Sequence, residues 1–381
     1  MKKIKRFLCI NLIFTMILMN CLSVFAISDI DITSPSAILM DQSSGNILFE
    51  KNGDEVKSAA SLMKIMVLLI AMEALDSGKI AINDGVVTSD NAAKVLGADV
   101  WMKSGEVMKV EDLIKAVSIV SANDASVALA EHISGSEEEF VKAANDKAKQ
   151  LGMKDTIFKD SFGSEESGSV TSAKDVAIMS RELMQHKRIL PYVSTWIDHI
   201  RDGQTQIVNT NKMIKTYQGI TGLKTGTSEK SGSCISATAE RGEIKLIAVV
   251  LGGANSKDRF KDASSLLDYG FSSYTTVKPK IPEELPDKIK VDNGMKDSIG
   301  ITVDVKGEFV VSQGKENSTS YEIKMDEEIK APIEAGQEIG KLVYKVDGKE
   351  ICEYSIRTLE AVEEISFGAV LKNIVAEFLL L

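Results

Sequence analysis

Apolar positions first recur along this chain in alternation. From Ser36, the stretch "SAILMDQSSGNILFEKN" carries two short apolar runs around a Ser-Ser-Gly-Asn turn, which predicts a β-hairpin. Helical spacing then takes over. Apolar residues three and four apart predict helices over Ser61 to Leu75, Val110 to Val120, Asp124 to Ile133, Glu137 to Leu151 and Ala173 to Gln185. Strand chemistry returns in "GITGLKTGTSEKSGSCISATAERGEIKLIAVVLGG", where Arg241-Gly242 reads as the turn between two paired strands. A further helix is expected over Phe260 to Tyr269.

The pattern changes near Val277. The segment "VKPKIPEELP" holds three of the six prolines and reads as a linker. Short alternating strands with Gly and Asn turns follow, as in "IGITVDVKGEFVV" and "KLVYKVDGKEICEYSIR", and predict a small all-β module over 278–358. The last stretch, 359–381, predicts an amphipathic helix with Phe367, Val370, Leu371, Ile374, Phe378 and Leu381 on one face. Ser366, Lys372, Asn373 and Glu377 lie opposite, and the segment is shorter than a membrane span. Packing of this helix on the β module is the alternative to a membrane-surface role. At the other end, Lys2, Lys3, Lys5 and Arg6 precede an apolar run from Phe7 to Met19 and a small-x-small site at Val24-Phe25-Ala26. That is the layout of a secretory signal peptide over 1–26, so export is expected. The remaining span, 27–277, forms the main domain.

Composition narrows the choices. The formal charge is −10, and the first 26 residues hold four positive groups and no negative one, so the rest of the chain carries −14. Such acidity lacks the basic footprint of nucleic-acid binding, and no nucleic-acid partner is expected. Beyond the signal peptide only Cys234 and Cys352 remain, which excludes a disulfide scaffold. His132, His186 and His199 are scattered without ligand spacing, so neither a metal centre nor a cofactor is expected.

One position breaks the apolar pattern. In "AASLMKIMVLLI", Lys64 sits inside the most hydrophobic internal run, three residues after Ser61. On a helix the two side chains share a face. Burial disfavours an ammonium, so the amine of Lys64 is expected to lose its proton readily and to take one from Ser61. Ser61 near a helix N-terminus would also meet free N–H groups. A helix cap beside a snorkelling lysine is the plain alternative. A second Ser-x-x-Lys copy, Ser312 to Lys315, lies in the β module with a glycine inside it, and is set aside.

Two further motifs change the balance. Ser121-Ala122-Asn123 lies 60 residues after Ser61, and Lys224-Thr225-Gly226 lies 103 further on. Serine DD-peptidases and class A β-lactamases carry this ordered trio. Ser89-Asp90-Asn91 and Ser44-Gly45-Asn46 also fit the second motif by letter, but not by order and spacing.

With all three motifs in order, the chain resembles the low-molecular-mass D-alanyl-D-alanine carboxypeptidases among the penicillin-binding proteins. The stretches "NDASVALAEHISGSEEEFV", "KAKQLGMKDTIF", "VNTNKMI" and "SSLLDYGF" are similar to those of that family as well. The resemblance implies an α/β (α+β) DD-peptidase/β-lactamase-like domain, an antiparallel sheet flanked by helices. The small β domain and terminal membrane-anchoring helix would follow it. It implies Ser61 as the acylated nucleophile, Lys64 as its base, and Ser121 as the relay to the departing D-alanine. Asn123 would hold the substrate amide and Lys64, while Lys224 and Thr225 would fix the terminal carboxylate. Gly226 would leave room for the peptide backbone, and the N–H groups of Ser61 and Thr227 would form the oxyanion hole. The implied partners are a peptidoglycan pentapeptide ending in D-Ala-D-Ala, covalently bound β-lactams and the cytoplasmic membrane surface. Ala59 stands where the family often has proline, Met63 where threonine is common, and "KDSFGSEESGSVTSAKD" lacks the family's Asn-Pro-x-Gly-Leu-like stretch.

Two rival readings remain at this point. A class A β-lactamase needs a glutamate for its deacylating water, and Glu165 and Glu166 lack the Glu-x-x-Leu-Asn setting. A non-catalytic penicillin-binding scaffold would be expected to have lost one of Ser61, Lys64, Ser121 or Lys224.

Overall fold

The computed structural model describes residues 30–305, 308–326, 328–369 and 371. The expected signal peptide over 1–26 lies outside the described residues, as do 370 and 372–381 of the expected terminal helix.

The hairpin forms as the alternation requires, from β1 (Ser36–Asp41) and β2 (Ile47–Lys51). Helix α1 (Lys64–Asp76) follows a 3₁₀ turn at Ala60–Met63. It is apolar all round, with Ile65, Met66, Leu68 and Leu69 fully buried, so it runs through the core instead of lying on it. Helix α2 (Val110–Lys115) passes into a π-helical turn, Ala116–Val120, before α3 (Asn123–Ser134) begins. Helix α4 (Glu137–Gln150) starts where Ser136 accepts the Glu139 N–H, and α5 (Ala173–Leu183) where Ser172 accepts that of Asp175. Both are side-chain caps of the kind that fixes a helix start.

Strands β3 (Ile220–Ser228), β4 (Gly232–Arg241) and β5 (Ile244–Gly253) complete one antiparallel sheet. Its order is β2-β1-β5-β4-β3, so β3 is an edge. The β4–β5 turn falls one residue later than expected, at Gly242-Glu243, with Arg241 closing β4 opposite Ile244. Helix α6 (Ser256–Ser273) covers this sheet and is longer than its periodicity predicts. Its start is set by Asn255, whose side chain accepts the N–H groups of Lys257 and Asp258.

The expected linker holds over 278–287, which carry no helix or strand, but its first residue, Val277, belongs to a strand. Residues Tyr274–Val277 form β6, which pairs with β9 (Phe309–Ser312) of the second module. Strands β7 (Lys288–Lys290), β8 (Ser298–Val303), β10 (Thr319–Met325), β11 (Glu338–Val346) and β12 (Lys349–Thr358) form a five-stranded sheet there, ordered β7-β8-β12-β11-β10. Ile299, Phe309, Leu342 and Ile356 are buried at its centre. The helix expected from 359 onward is also corrected at its start. Val362 pairs with Ile333 and Glu364 with Gly294, and Val362 is buried, so 359–364 belongs to the β module. Helical turns begin only at Phe367. Among the described residues no helix is long and apolar enough to cross a membrane.

Candidate active site

The turn that carries Ser61 is tight. Ala60 adopts φ 45°, and the Leu62 N–H closes onto Ala59 O at 3.1 Å. One step later α1 begins, and its first residue is Lys64, with no exposed surface. The Lys64 Nζ has three neighbours. It lies 3.0 Å from Ser61 Oγ, 2.7 Å from Asn123 Oδ1 and 3.0 Å from the Phe162 carbonyl. Burial pulls the Lys64 ammonium down to about 7, against the carboxylates of Asp160, Asp99 and Asp124, which favour the charged form. A neutral amine has two N–H bonds and one lone pair. Asn123 Oδ1 and Phe162 O can only accept, so they take the two N–H groups and leave the lone pair facing the Ser61 hydroxyl.

Ser121 ends the π-helical turn in the left-handed region, at φ 66°. A non-glycine residue there is strained, and here the strain turns Ser121 out of the helix toward the third motif. Its Oγ accepts from Lys224 Nζ at 2.7 Å. Asn123 is fixed through its other side-chain atom, Nδ2, which donates to Leu96 O at 2.8 Å. Lys224, Thr225, Gly226 and Thr227 lie along the edge strand β3. Lys224 is buried, its Nζ also donating to Thr225 O at 3.0 Å. Burial, with Lys64 and Arg259 nearby, drives its ammonium well below the usual lysine range. Thr225 Oγ1 donates to Thr210 Oγ1 at 2.8 Å, and Thr227 is exposed.

Gly226 has a local reason. A Cβ there would lie 2.8 Å from Ala59 O and 3.1 Å from Ser61 N. The backbone that needs this space is the Ser61 turn itself, which packs edge-on against β3.

The structure thus brings Ser61, Lys64, Ser121, Asn123 and the 224–227 strand into one group linked by hydrogen bonds and close backbone packing. The decoys stay apart. Ser89 caps the short helix Asp90–Lys94, Ser44 is bonded to Asp41, and Lys315 pairs with Asp347. His186 bonds Asp76, and no cluster of metal-binding side chains occurs among the described residues. Glu165 faces the β3–β4 turn, its carboxylate accepting the Lys230 N–H at 2.7 Å.

Two contributors escaped the sequence reading. The Phe162 carbonyl is backbone, which no motif names. Arg259, on α6, is buried under β3 and donates to Gly226 O at 2.9 Å, Thr227 Oγ1 at 2.7 Å and Cys234 O at 3.3 Å. Only its place one turn after the Asn255 cap could have marked it.

Comparison with known proteins decides what this group belongs to. A family model described as D-alanyl-D-alanine carboxypeptidase matches residues 23–255, and one described as penicillin-binding protein 5, C-terminal domain, matches 274–364. The chain belongs to the D-alanyl-D-alanine carboxypeptidase family. It is a serine-type hydrolase of that class. It is 39% identical to the D-alanyl-D-alanine carboxypeptidase DacF of Bacillus subtilis over 98% of this chain and 99% of that protein. To DacC of Escherichia coli it is 32% identical, over 87% of this chain and 84% of the other. The crystal structure of penicillin-binding protein 5 from Haemophilus influenzae matches with a TM-score of 0.77 at 30% identity, covering 88% of this chain and 98% of that one. The expected fold, a DD-peptidase-like domain followed by a small all-β domain, is the one found.

The Lys64 environment generates a pH prediction for this carboxypeptidase. The neutral amine is the form able to accept a proton, and it predominates above about pH 7. Below that point kcat/KM should fall about tenfold per pH unit. A profile flat from about pH 8 down to pH 5 would contradict the argument.

Proposed function

We propose that this chain removes the terminal D-alanine from peptidoglycan pentapeptide side chains through an acyl-enzyme on Ser61, and so limits cell-wall cross-linking. One observation carries the reading: Ser61 Oγ is 3.0 Å from a fully buried amine whose other two neighbours only accept hydrogen bonds. Ser61 Oγ attacks the carbonyl carbon of the penultimate D-alanine as its proton passes to Lys64 Nζ. The resulting oxyanion is held by the N–H groups of Ser61 and Thr227. The peptide C–N bond then breaks, and Ser121 relays a proton to the departing amine. Water attacks the ester, Lys64 takes its proton, and Ser61 is restored. Lys224 and Thr225 hold the free carboxylate of the substrate, and Asn123 its amide. A carboxylate arriving at the buried Lys224 supplies the counter-charge its surroundings lack, so binding favours protonation there. β-Lactams acylate the same serine.

The proposal extends to where the enzyme works. We assign 1–26 to an export signal, 27–277 to the catalytic domain, 278–364 to the β domain and the residues from 365 onward to a segment ending in an anchoring helix. Export would place catalysis outside the cytoplasmic membrane, on the cell wall. Burying Phe367, Leu371, Ile374, Phe378 and Leu381 in the membrane surface at ~1.5–3 kcal/mol each gives about 10 kcal/mol before ordering costs, enough for attachment without a span.

Incubating purified protein with a diacyl-Lys-D-Ala-D-Ala peptide should release free D-alanine. Ser61→Ala should abolish both that release and covalent labelling by fluorescent penicillin. Adduct mapped to Ser89 or Ser312 would overturn the assignment. Lys224→Ala removes a charge-assisted contact of ~1.5–3 kcal/mol, so activity on free-acid peptides should drop about 10- to 150-fold. Amidated peptides should be poor substrates for both forms, and equal losses on both would give Lys224 a different task. Ending the chain at Ile365 keeps its N–H bond to Asn293 O. That truncation should yield soluble enzyme with nearly full activity on small peptides. Its persistence in the membrane fraction after signal removal would refute the anchor.

A further inference from the structure

Residues 160–164 cross close to the nucleophile turn, and one carboxylate organises them. Asp160 is buried, and it accepts three consecutive backbone N–H groups. Its Oδ1 lies 3.1 Å from Phe162 N and 2.6 Å from Gly163 N, and its Oδ2 lies 2.9 Å from Ser164 N. The turn this creates is pressed against the nucleophile. Gly163 has φ +77°, and a Cβ there would come within 2.2 Å of Ala60 O. No side chain but hydrogen fits, so the Phe162 carbonyl is held at a fixed distance from α1. That carbonyl accepts from Lys64 Nζ at 3.0 Å, and the Phe162 ring centroid lies 5.9 Å from the same nitrogen.

We infer that Asp160 is a positioning residue for the reaction: it aims the Phe162 carbonyl at Lys64 and stations a negative charge behind it. The two effects act on one atom. The carbonyl occupies one N–H of the neutral amine, which keeps the lone pair on Ser61. The charge makes the same amine easier to protonate, which suits the moment at which it has just received the Ser61 proton. Burial alone would leave Lys64 too weak a base to hold that proton. The inference rests on the proposed pairing of Ser61 with Lys64.

Other charged groups face Lys64 from each element around it. Asp124, on α3, has its carboxylate committed to the N–H groups of Val100 and Met102. Asp99, on the preceding loop, has a buried Oδ1 without a hydrogen-bond partner, and burial raises its own pKa. Lys224, on β3, has its own ammonium disfavoured by burial and by the nearby Lys64. Among the carboxylates, Asp160 exerts the largest pull on the lysine. It also builds the turn that touches the amine.

The test is the pH dependence of D-alanine release by Asp160→Asn. The amide keeps an oxygen for Phe162 and Gly163, loses the Ser164 bond and removes the charge. The plateau rate should fall about fivefold. The acid limb of kcat/KM should move to lower pH by roughly half a unit to one unit, because Lys64 then loses its proton more readily. Asp160→Ser removes the charge with a smaller side chain and should shift the limb the same way, which guards against a folding defect in either variant. A purely structural role would lower the plateau and leave the limb where it was, and that result would overturn the inference. Penicillin labelling separates the two levels of argument. If Ser61→Ala still labels, the Ser61–Lys64 reading itself has failed. If Ser61→Ala is silent and the limb is unmoved in both Asp160 variants, only the role of Asp160 has.

Discussion

The burial of one amine constrains the rest of this molecule. Lys64 is the first residue of a helix that is apolar on every side, and it has no exposed surface. Holding its pKa near 7 instead of 10.5 corresponds to roughly 5 kcal/mol of folding free energy given up at neutral pH and below. The sign follows from proton counts. Between about pH 7 and 10.5 the unfolded chain binds the proton and the folded chain does not, so this group favours folding progressively as pH rises through that window. Two acceptors, the Ser61 hydroxyl and the surrounding core make the arrangement tolerable, and the three polar neighbours come from different parts of the chain.

That delivery explains several local oddities. Ser121 takes a left-handed conformation after a π-helical turn, and Ala60 a positive φ before Ser61. Each costs on the order of 1–3 kcal/mol, offset by packing elsewhere. Gly226 and Gly163 allow β3 and the 160–164 turn to approach the Ser61 turn from different directions. Arg259 then ties the carbonyls of Gly226 and Cys234 from beneath the sheet, where no carboxylate among the described residues is bonded to it. Strain, missing Cβ atoms and a buried guanidinium all serve one requirement, the close meeting of an edge strand and a helix start.

The second module is tied to the first more closely than a proline-rich linker suggests. Strand β6 leaves α6 directly and pairs with β9, and Asn46 of the first hairpin donates to Ile351 O at 2.9 Å. The chain therefore enters the β domain's hydrogen-bonding before its first linker proline.

Much of this was legible in residues alone. Periodicity located the hairpin, the helices and the second module, because each buries one face or one stripe and the pattern records it. The three motifs were legible because their spacing and residue types are unusual together. Three boundaries were misread: at α6, where a local Asn255 cap starts the helix before its apolar periodicity, and at β6 and 359–364, where a strand pairing and two bridges depend on partners distant in the chain. The sequence by itself determined which side chains the three motifs single out and that Lys64 would sit among apolar residues. Only the tertiary structure decided which atoms surround that lysine. The Phe162 carbonyl, the three N–H groups on Asp160 and the Arg259 contacts to strand carbonyls are backbone interactions. Backbone groups are the same in every residue, so the sequence does not mark them until the fold brings them together.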